Sequence, residues 1–515
     1  MSRRLPKGGR LIDRSRPLGF SFNGREMRGY SGDTLASALL GRGQVLMGRS
    51  FKYHRPRGVV TSGPEEPNAL VGLGRNGSFE PNVRATTTEL FEGLEARSQN
   101  HWPSLEHDVG AINSVLSRFL PSGFYYKTFL WPRAFWKHVY EPAIRLSAGL
   151  GKPPKRRDAD HYEHFNITTD ILVIGGGISG IAAAFAAAET GADVLLVEQA
   201  STWGGRASVD GVRIDGLSAE EWAGTTLKSL QSMPNVRMRT RTTGVGVHDH
   251  GYVLLHERLN DHAPDHSVPR HRLWKVRAGQ VVAATGAIER PLSFAGNDRP
   301  GCMLASAVRD YVVNYGVTPG ERTVVLTNND DAYRTGLALR EAGLGVPAIL
   351  DTRQEATGPL AKAARDGGLT VRFGCGIAGI VGRDRVERVQ VCSQDGDGEV
   401  IDEIQADCVA MSGGWSPAVH LWCHAGGKLS WNDEQAHFVP DRARPPTGAD
   451  GVAMMQVAGT ANGAMRTDAA LESAHVAGVS AGQALGMGCS GKPDRAPEGE
   501  DEVHHPMEPV WLVPA

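Results

Sequence analysis

Apolar residues run unbroken from Ile171 to Ile174 and again from Val194 to Val197, and the stretch from Ala182 to Ala188 between them is rich in alanine. Short apolar runs bounded by turn residues mark strands buried on both faces, and the longer alanine-rich stretch marks a packed helix. The pattern predicts strand, helix, strand: a βαβ unit with parallel strands. A second such unit is predicted from Arg322, where TVVL, AYRTGLALRE and PAIL repeat the order. Nearer the N-terminus, LGFSFNGREMRGY reads as a hairpin about Asn23-Gly24, and TLASALLGRG predicts a short helix capped by Asp33.

The turn between the first strand and its helix reads Gly175-x-Gly177-x-x-Gly180, and the second strand ends in Glu198. In that setting the glycine triplet marks a dinucleotide fold. Gly175 permits the tight turn, Gly177 lets the backbone approach a pyrophosphate, and Gly180 lets the helix pack close to the sheet. The helix N-terminus offers free N–H groups and partial positive charge to phosphates. Glu198 accepts from a ribose 2′-hydroxyl and repels a 2′-phosphate, so the expected adenosine is of the NAD or FAD type. The second unit has Thr327-Asn328-Asn329-Asp330-Asp331-Ala332 at its turn. Side chains at every position and two carboxylates argue against an NAD(P)H site there.

A chain of 515 residues should hold two to four domains. The net charge of −2 gives no electrostatic case for nucleic acid. No apolar run is long enough for a bilayer, and no signal-peptide core follows the basic start, so a cytoplasmic protein is expected. All six cysteines lie beyond residue 301, with no CxxC pair. They are expected to be buried reduced thiols, not a zinc site or redox pair. The segment from His101 to Leu150 holds three of the ten tryptophans, Trp102, Trp131 and Trp136, and is expected to be an interdomain or subunit packing surface. The polar stretch from Ser490 to His505 reads as a linker, and MEPVWLVPA after it as a short strand-like piece.

The N-terminal order of hairpin, helix, SFKYHRPRG and TSGPEEPNALV resembles the β-grasp ferredoxin module of multi-subunit flavoenzymes. Cluster-bearing relatives carry cysteines in that last loop; this chain has none there, so no iron–sulfur cluster is expected. STWGGR, MRTRTTGVGV, ATGAIERP and VAGTANGA resemble elements that surround a dinucleotide in two-domain flavoproteins. Together with HWPSLEHDVGAINSVLSRFLPSGFYYKTF and LTNNDDAY, they make the chain similar over nearly its whole length to the α subunit of heterotetrameric sarcosine oxidase.

That resemblance implies an α/β protein with a two-dinucleotide-binding-domain, flavoprotein-like Rossmann fold. Its expected parts are a β-grasp ferredoxin-like domain without a cluster (1–100), an aromatic-rich helical connector and linker (101–165) and an NAD-binding Rossmann domain (166–300). An inserted degenerate Rossmann domain (301–406), a return segment (407–489) and a linker opening a missing folate-binding domain (490–515) follow. It implies NAD held by Gly175, Gly177, Ile178, Ser179 and Gly180 at the phosphates and by Glu198 and Gln199 at the ribose. Gly204, Gly205 and Arg206 close over the pyrophosphate, Val245 lies at the adenine, and Thr285 and Gly286 end the domain. Thr460, Met465 and Thr467 fall on the last strand–helix turn, and Thr460 stands where FAD-binding members carry an acid, which favours NAD.

The implied partners are a β subunit that holds FAD and oxidises a small N-methyl amine, and small γ and δ subunits, δ carrying zinc. FMN is implied at the α–β interface. The implied products are glycine, formaldehyde or methylenetetrahydrofolate, and hydrogen peroxide. No catalytic residue and no metal ligand is expected on this chain. A subunit of a related secondary-amine, proline or opine dehydrogenase, or a non-catalytic scaffold, are alternatives on the same framework.

Overall fold

A computed structural model describes residues 3–120, 123, 129, 131–448, 451–488, 495–500 and 507–514. Asp13–Phe22 and Arg25–Ser31 form the expected hairpin. Asn23 and Gly24 turn it with φ of 52° and 77°, the two positive values that a twisted two-residue hairpin needs. The hairpin belongs to a five-stranded sheet in which Leu94–Ser98, Leu70–Leu73 and Glu80–Arg84 follow in order. Asp13–Phe22 runs parallel to Leu94–Ser98. A parallel pair needs a crossover, and the helix Leu35–Gly41 lies in it. That helix is capped by Thr34 in a reciprocal box with Ser37, one residue after the expected Asp33. Asp33 instead accepts from Ser37 Oγ at 2.6 Å and pairs with Arg4 at 2.7 Å, so its carboxylate serves tertiary structure.

The loop that carries thiolates in cluster-bearing modules wraps a buried carboxylate here. Glu66, 1% exposed, accepts from the backbone N–H groups of Val60, Thr61, Asn68 and Ala69 at 2.8–3.0 Å.

The first Rossmann unit consists of Tyr162–Ile174, the helix Ile178–Glu189 and Val194–Val197. Its opening strand extends well before the apolar run because His271–Ala283 pairs with it from Tyr162 onward. The sheet runs Val236–Arg239, Val194–Val197, Tyr162–Ile174, His271–Ala283, Tyr252–Arg258, Thr242–His248, with Met455–Val457 also beside His271–Ala283. The second unit is a five-stranded parallel sheet ordered Cys302–Leu304, Cys408–Ser412, Thr323–Thr327, Ile349–Asp351, Val371–Phe373. The expected return to the first domain at 407 therefore falls later. Cys408–Ser412 is a fully buried strand of the second sheet, and the first sheet is rejoined at Met455–Val457.

One continuous apolar core joins the N-terminal sheet to the second Rossmann unit, with Phe20 and Leu39 in the same cluster as Val308, Tyr311 and Val325. Separate cores cover the two faces of the first sheet.

Among the described residues, the segment from 101 to 150 forms short helical turns up to Phe119 and one continuous helical stretch, in which Trp136–Tyr140 runs directly into Glu141–Ser147. Part of its aromatic run, including Tyr125 and Tyr126, lies outside the described residues, as do Cys489 and much of the expected linker. Of the other cysteines, Cys302, Cys375, Cys392 and Cys408 are buried and free, but Cys423 is exposed, unlike the expectation for it. The apolar tail docks on this chain. Asn328 Nδ2 donates to the carbonyls of Glu508 (3.0 Å) and Val510 (2.8 Å). Trp511 Nε1 donates to Gly413 O at 2.9 Å, and Val513 is buried.

Candidate functional site

The glycine turn has the geometry its three positions call for. Gly175 has φ of +111°, and a Cβ there would lie 2.2 Å from Ala284 O. A Cβ on Gly180 would lie 1.7 Å from Gly175 O, so the helix packs on the strand end only with glycine. Gly177 differs. The nearest atom to a Cβ on it is Gly205 Cα at 3.9 Å, so a side chain there would enter free space. Gly177 is also the N-cap of the helix Ile178–Glu189 and makes no side-chain cap. The N–H groups of that first turn thus have no capping side chain.

That free space is a cavity of about 880 Å³. Fifteen of the sixteen expected residues line it: Gly175, Gly177, Ile178, Ser179, Glu198, Gln199, Gly204, Gly205, Arg206, Val245, Thr285, Gly286, Thr460, Met465 and Thr467. Gly180 does not, being packed against the strand. The loop carrying Gly204 and Gly205 lies directly on the glycine turn, with Gly204 N donating to Gly176 O at 2.8 Å. Glu198 stands at the end of its strand. Its oxygens accept from Gly176 N (2.6 Å) and Ala200 N (2.7 Å). Burial pushes its pKa up, and these N–H groups act against that rise. Each oxygen keeps a second lone pair for a ribose hydroxyl.

Two expected residues are engaged elsewhere. The Thr285 hydroxyl donates to Ala418 O at 2.7 Å. Arg206 Nη1 donates to both Asp310 oxygens (2.9 and 3.1 Å) and Nη2 to Asp210 at 3.2 Å. Burial would lower the Arg206 pKa, but Asp310 and Asp210 reverse that and raise it. Arg309, 1% exposed, continues the network to Asp210 (2.8 Å) and Asp331 (3.1 Å). Arg206 therefore ties its loop to the second Rossmann unit.

Sequence reading missed the far walls. Glu65, Arg290, Asp331, Arg334, Trp415 and Met507 also line the cavity, which reaches from the glycine turn to the strand–helix turn of the second unit. They come from the N-terminal loop, the separate ladder of Ala287–Glu289 and Trp415–Pro417, the start of the helix Ala332–Glu341 and the tail, and no local pattern brings such distant segments together. At the second turn the residues face inward: Asn328 holds the tail, Asn329 donates to Ser412 O at 3.2 Å, and Asp331 holds Arg309. Beside the cavity, Glu289 is 4% exposed and accepts from Ser306 N at 2.8 Å. Burial, with Asp331 nearby, pushes its pKa up to about 7.

A helix start without a capping side chain, a glycine that leaves room for a ligand and an acid one strand away fit the phosphates and ribose of an adenine dinucleotide. An iron–sulfur cluster does not fit the N-terminal module. The first 301 residues contain no cysteine, and Glu66 takes the loop's N–H donors. Among the described residues no group of acids, histidines and cysteines has metal-site geometry, and no helix is long and apolar enough to cross a membrane.

The fold and site define a flavoprotein-type protein with two Rossmann units behind a ferredoxin-like module. Family models agree: residues 15–101 match the 2Fe-2S iron-sulfur cluster binding domain family, and 170–262 match the FAD dependent oxidoreductase family. The crystal structure of L-proline dehydrogenase from P. horikoshii shares the fold, with a TM-score of 0.61 at 19% identity over 96% of this chain and 77% of that one. Sarcosine oxidase subunit alpha of Rhizobium meliloti (strain 1021) is 45% identical over 515 residues, all of this chain and 50% of that protein. The same subunit of Corynebacterium sp. (strain U-96) is 33% identical over 98% of this chain and 47% of its own length. Over its whole length the chain is thus similar to sarcosine oxidase α subunits, which are oxidoreductase subunits. It spans about half the length of the curated relatives it matches.

Proposed function

We propose that this chain is the NAD-binding α subunit of a multi-subunit, cytoplasmic sarcosine oxidase-like flavoenzyme. In this reading NAD lies in the cavity at the glycine turn, FAD is held by a β subunit that oxidises a small N-methyl amine, and FMN lies at the α–β interface. Small γ and δ subunits complete the assembly. Sarcosine would yield glycine, formaldehyde or methylenetetrahydrofolate, and hydrogen peroxide.

The observation that carries the reading is the cradle: Gly177 opening into the cavity at a helix start with no side-chain cap, with Glu198 at the neighbouring strand end. Gly177, Ile178 and Ser179 bind the pyrophosphate through backbone N–H groups, while Gly175, whose own N–H donates to Val197 O at 2.8 Å, makes the turn that brings them there. Glu198 accepts from a ribose hydroxyl and, by its charge, excludes a 2′-phosphate. Val245, half exposed at 54%, offers a flat contact to the adenine. Thr460, on the turn Gly459–Asn462, gives the far end no acid for a ribityl chain. Bound there, NAD serves as a structural dinucleotide, and no side chain of the cavity acts as acid, base or nucleophile on the amine.

The test is to denature the purified complex and weigh the released nucleotides. One NAD per α chain supports the reading. FAD traced to this chain favours a flavin-binding α subunit of a different secondary-amine dehydrogenase, and no nucleotide from it favours a bare scaffold.

A further inference from the structure

Four arginines line the cavity, and three of them face acids. Arg206 pairs with Asp310 and Asp210, Arg334 with Asp331 at 3.5 Å, and Arg466 with Asp468. Arg290 differs: its contacts among the described residues are all neutral. Nη1 donates to Ala436 O at 2.5 Å, and Nη2 donates to Gln435 O at 3.5 Å and to the Met507 thioether at 2.9 Å. The guanidinium lies 4.9 Å over the Trp511 ring, and Nε is buried with no partner among the described residues. A guanidinium drawn out of water without an opposite charge is costly. Burial pulls the Arg290 pKa down to about 10, with no carboxylate acting against it, so the group stays cationic at neutral pH.

The unsatisfied donors share one edge. Nε–H and one N–H of Nη2 point the same way, and such an edge grips a carboxylate with two parallel bonds. On Arg290 this edge meets a sulfur, which is a weak acceptor, and a distant carbonyl. The cation is held in place for the task. Its backbone N donates to Gly414 O at 2.8 Å, and Gly413 N donates to its carbonyl at 2.7 Å. Gly414 has φ of +82°, and a Cβ there would lie 2.2 Å from Met507 Sδ and 2.7 Å from Arg290 Nη2. Glycine is thus needed for the tail and the guanidinium to meet. Met507 is itself on the cavity wall, and its unbranched side chain turns easily. Turned aside, it opens the edge to the cavity. One cation among Ile288, Trp415 and Met507 balances one negative charge, whereas a phosphate dianion would leave net charge buried.

We infer that Arg290 anchors a second subsite of this cavity, which takes the carboxylate of a small monoanionic acid in place of the Met507 thioether. The subsite shares the cavity with the dinucleotide but uses none of the residues assigned to it, so the two stand or fall separately.

The experiment is calorimetric titration of the full chain with propionate, with its uncharged isostere propionamide and with inorganic phosphate. Propionate is expected to bind saturably, propionamide about tenfold or more weaker, and phosphate more weakly than propionate. Arg290→Gln is expected to lose about tenfold or more in propionate affinity with nucleotide per chain unchanged. Met507→Ala, which bares the edge, is expected to bind propionate more tightly than the parent. On the parent chain alone, absent propionate binding or equal binding of propionate and propionamide overturns the subsite. So does phosphate binding more tightly than propionate, or an Arg290→Gln chain that binds propionate as the parent does. Release of nucleotide by propionate also overturns it, since the carboxylate would then lie in the pyrophosphate cradle. A chain purified without nucleotide that still binds propionate through Arg290 keeps the subsite and removes the NAD reading.

Discussion

Single residues separate binding from folding at the glycine turn. Gly177→Ala places a methyl where only a ligand would meet it, 3.9 Å from the nearest protein atom. The variant is expected to keep its stability within about 1 kcal/mol and to lose at least tenfold in dinucleotide retention, read as nucleotide per chain after purification. Gly180→Ala puts its methyl on Gly175 O and is expected to cost about 3 kcal/mol in urea denaturation. Two equal losses of stability would remove the argument that Gly177 opens toward a ligand. Glu66 makes a further prediction. Its carboxylate collects four backbone N–H groups, so Glu66→Gln, which turns an amide donor toward donors, is expected to lose about 3 kcal/mol.

Glu289 gives stability a pH dependence of determinate sign. Its pKa rises from 4.5 to about 7 on folding, so between those values the folded chain binds more proton than the unfolded one. Stability from this group is therefore full below about 4.5, falls as pH rises to about 7 and is flat beyond, a change of about 3 kcal/mol. Glu289→Gln is expected to be more stable than the parent at pH 8 and to lose this slope in melts run from pH 5 to 8. An unchanged slope would show that Glu289 is ionised throughout.

Elements show what a linear pattern carries and what it omits. The first βαβ unit was legible because both strands are buried on their apolar runs, and the Asn23-Gly24 hairpin because its turn tolerates few other residues. Asp33 as a cap was misread because Thr34 beside it is an equally good one, and Arg4, distant in sequence, claims the aspartate. Cys408–Ser412 was misplaced because a buried parallel strand reads alike in either sheet. Fifteen cavity residues were legible from motifs, yet Arg290, Trp415 and Met507 were not, since tertiary contacts alone bring them there. The docked tail was illegible for the same reason. Asn328→Ala leaves the carbonyls of Glu508 and Val510 without that donor and is expected to cost about 2 kcal/mol and to speed proteolysis of the tail. A tail cleaved no faster would mean that Asn328 does not hold it.

At the scale of the whole molecule, three units meet at one cavity. Asp310, on the helix Ala305–Tyr315, holds Arg206 from the first Rossmann unit and accepts from Ser62 of the N-terminal module at 2.5 Å. The N-terminal sheet shares its core with the second unit, so the ferredoxin-like module is part of the scaffold even without cysteines for a cluster. Asp310→Asn halves the clamp on Arg206 and is expected to raise hydrogen exchange at 204–210 and around Ser62 together. Exchange rising at one place alone would mean that the junction is not a single unit.

The account turns on what lies at the first glycine turn of the assembled enzyme. The direct measurement is an experimental density map of the native complex at that cavity. The account predicts an adenine dinucleotide with its pyrophosphate at Gly177 and a ribose on Glu198, ending in nicotinamide. An isoalloxazine ring in its place, or a cavity holding only solvent, would contradict it.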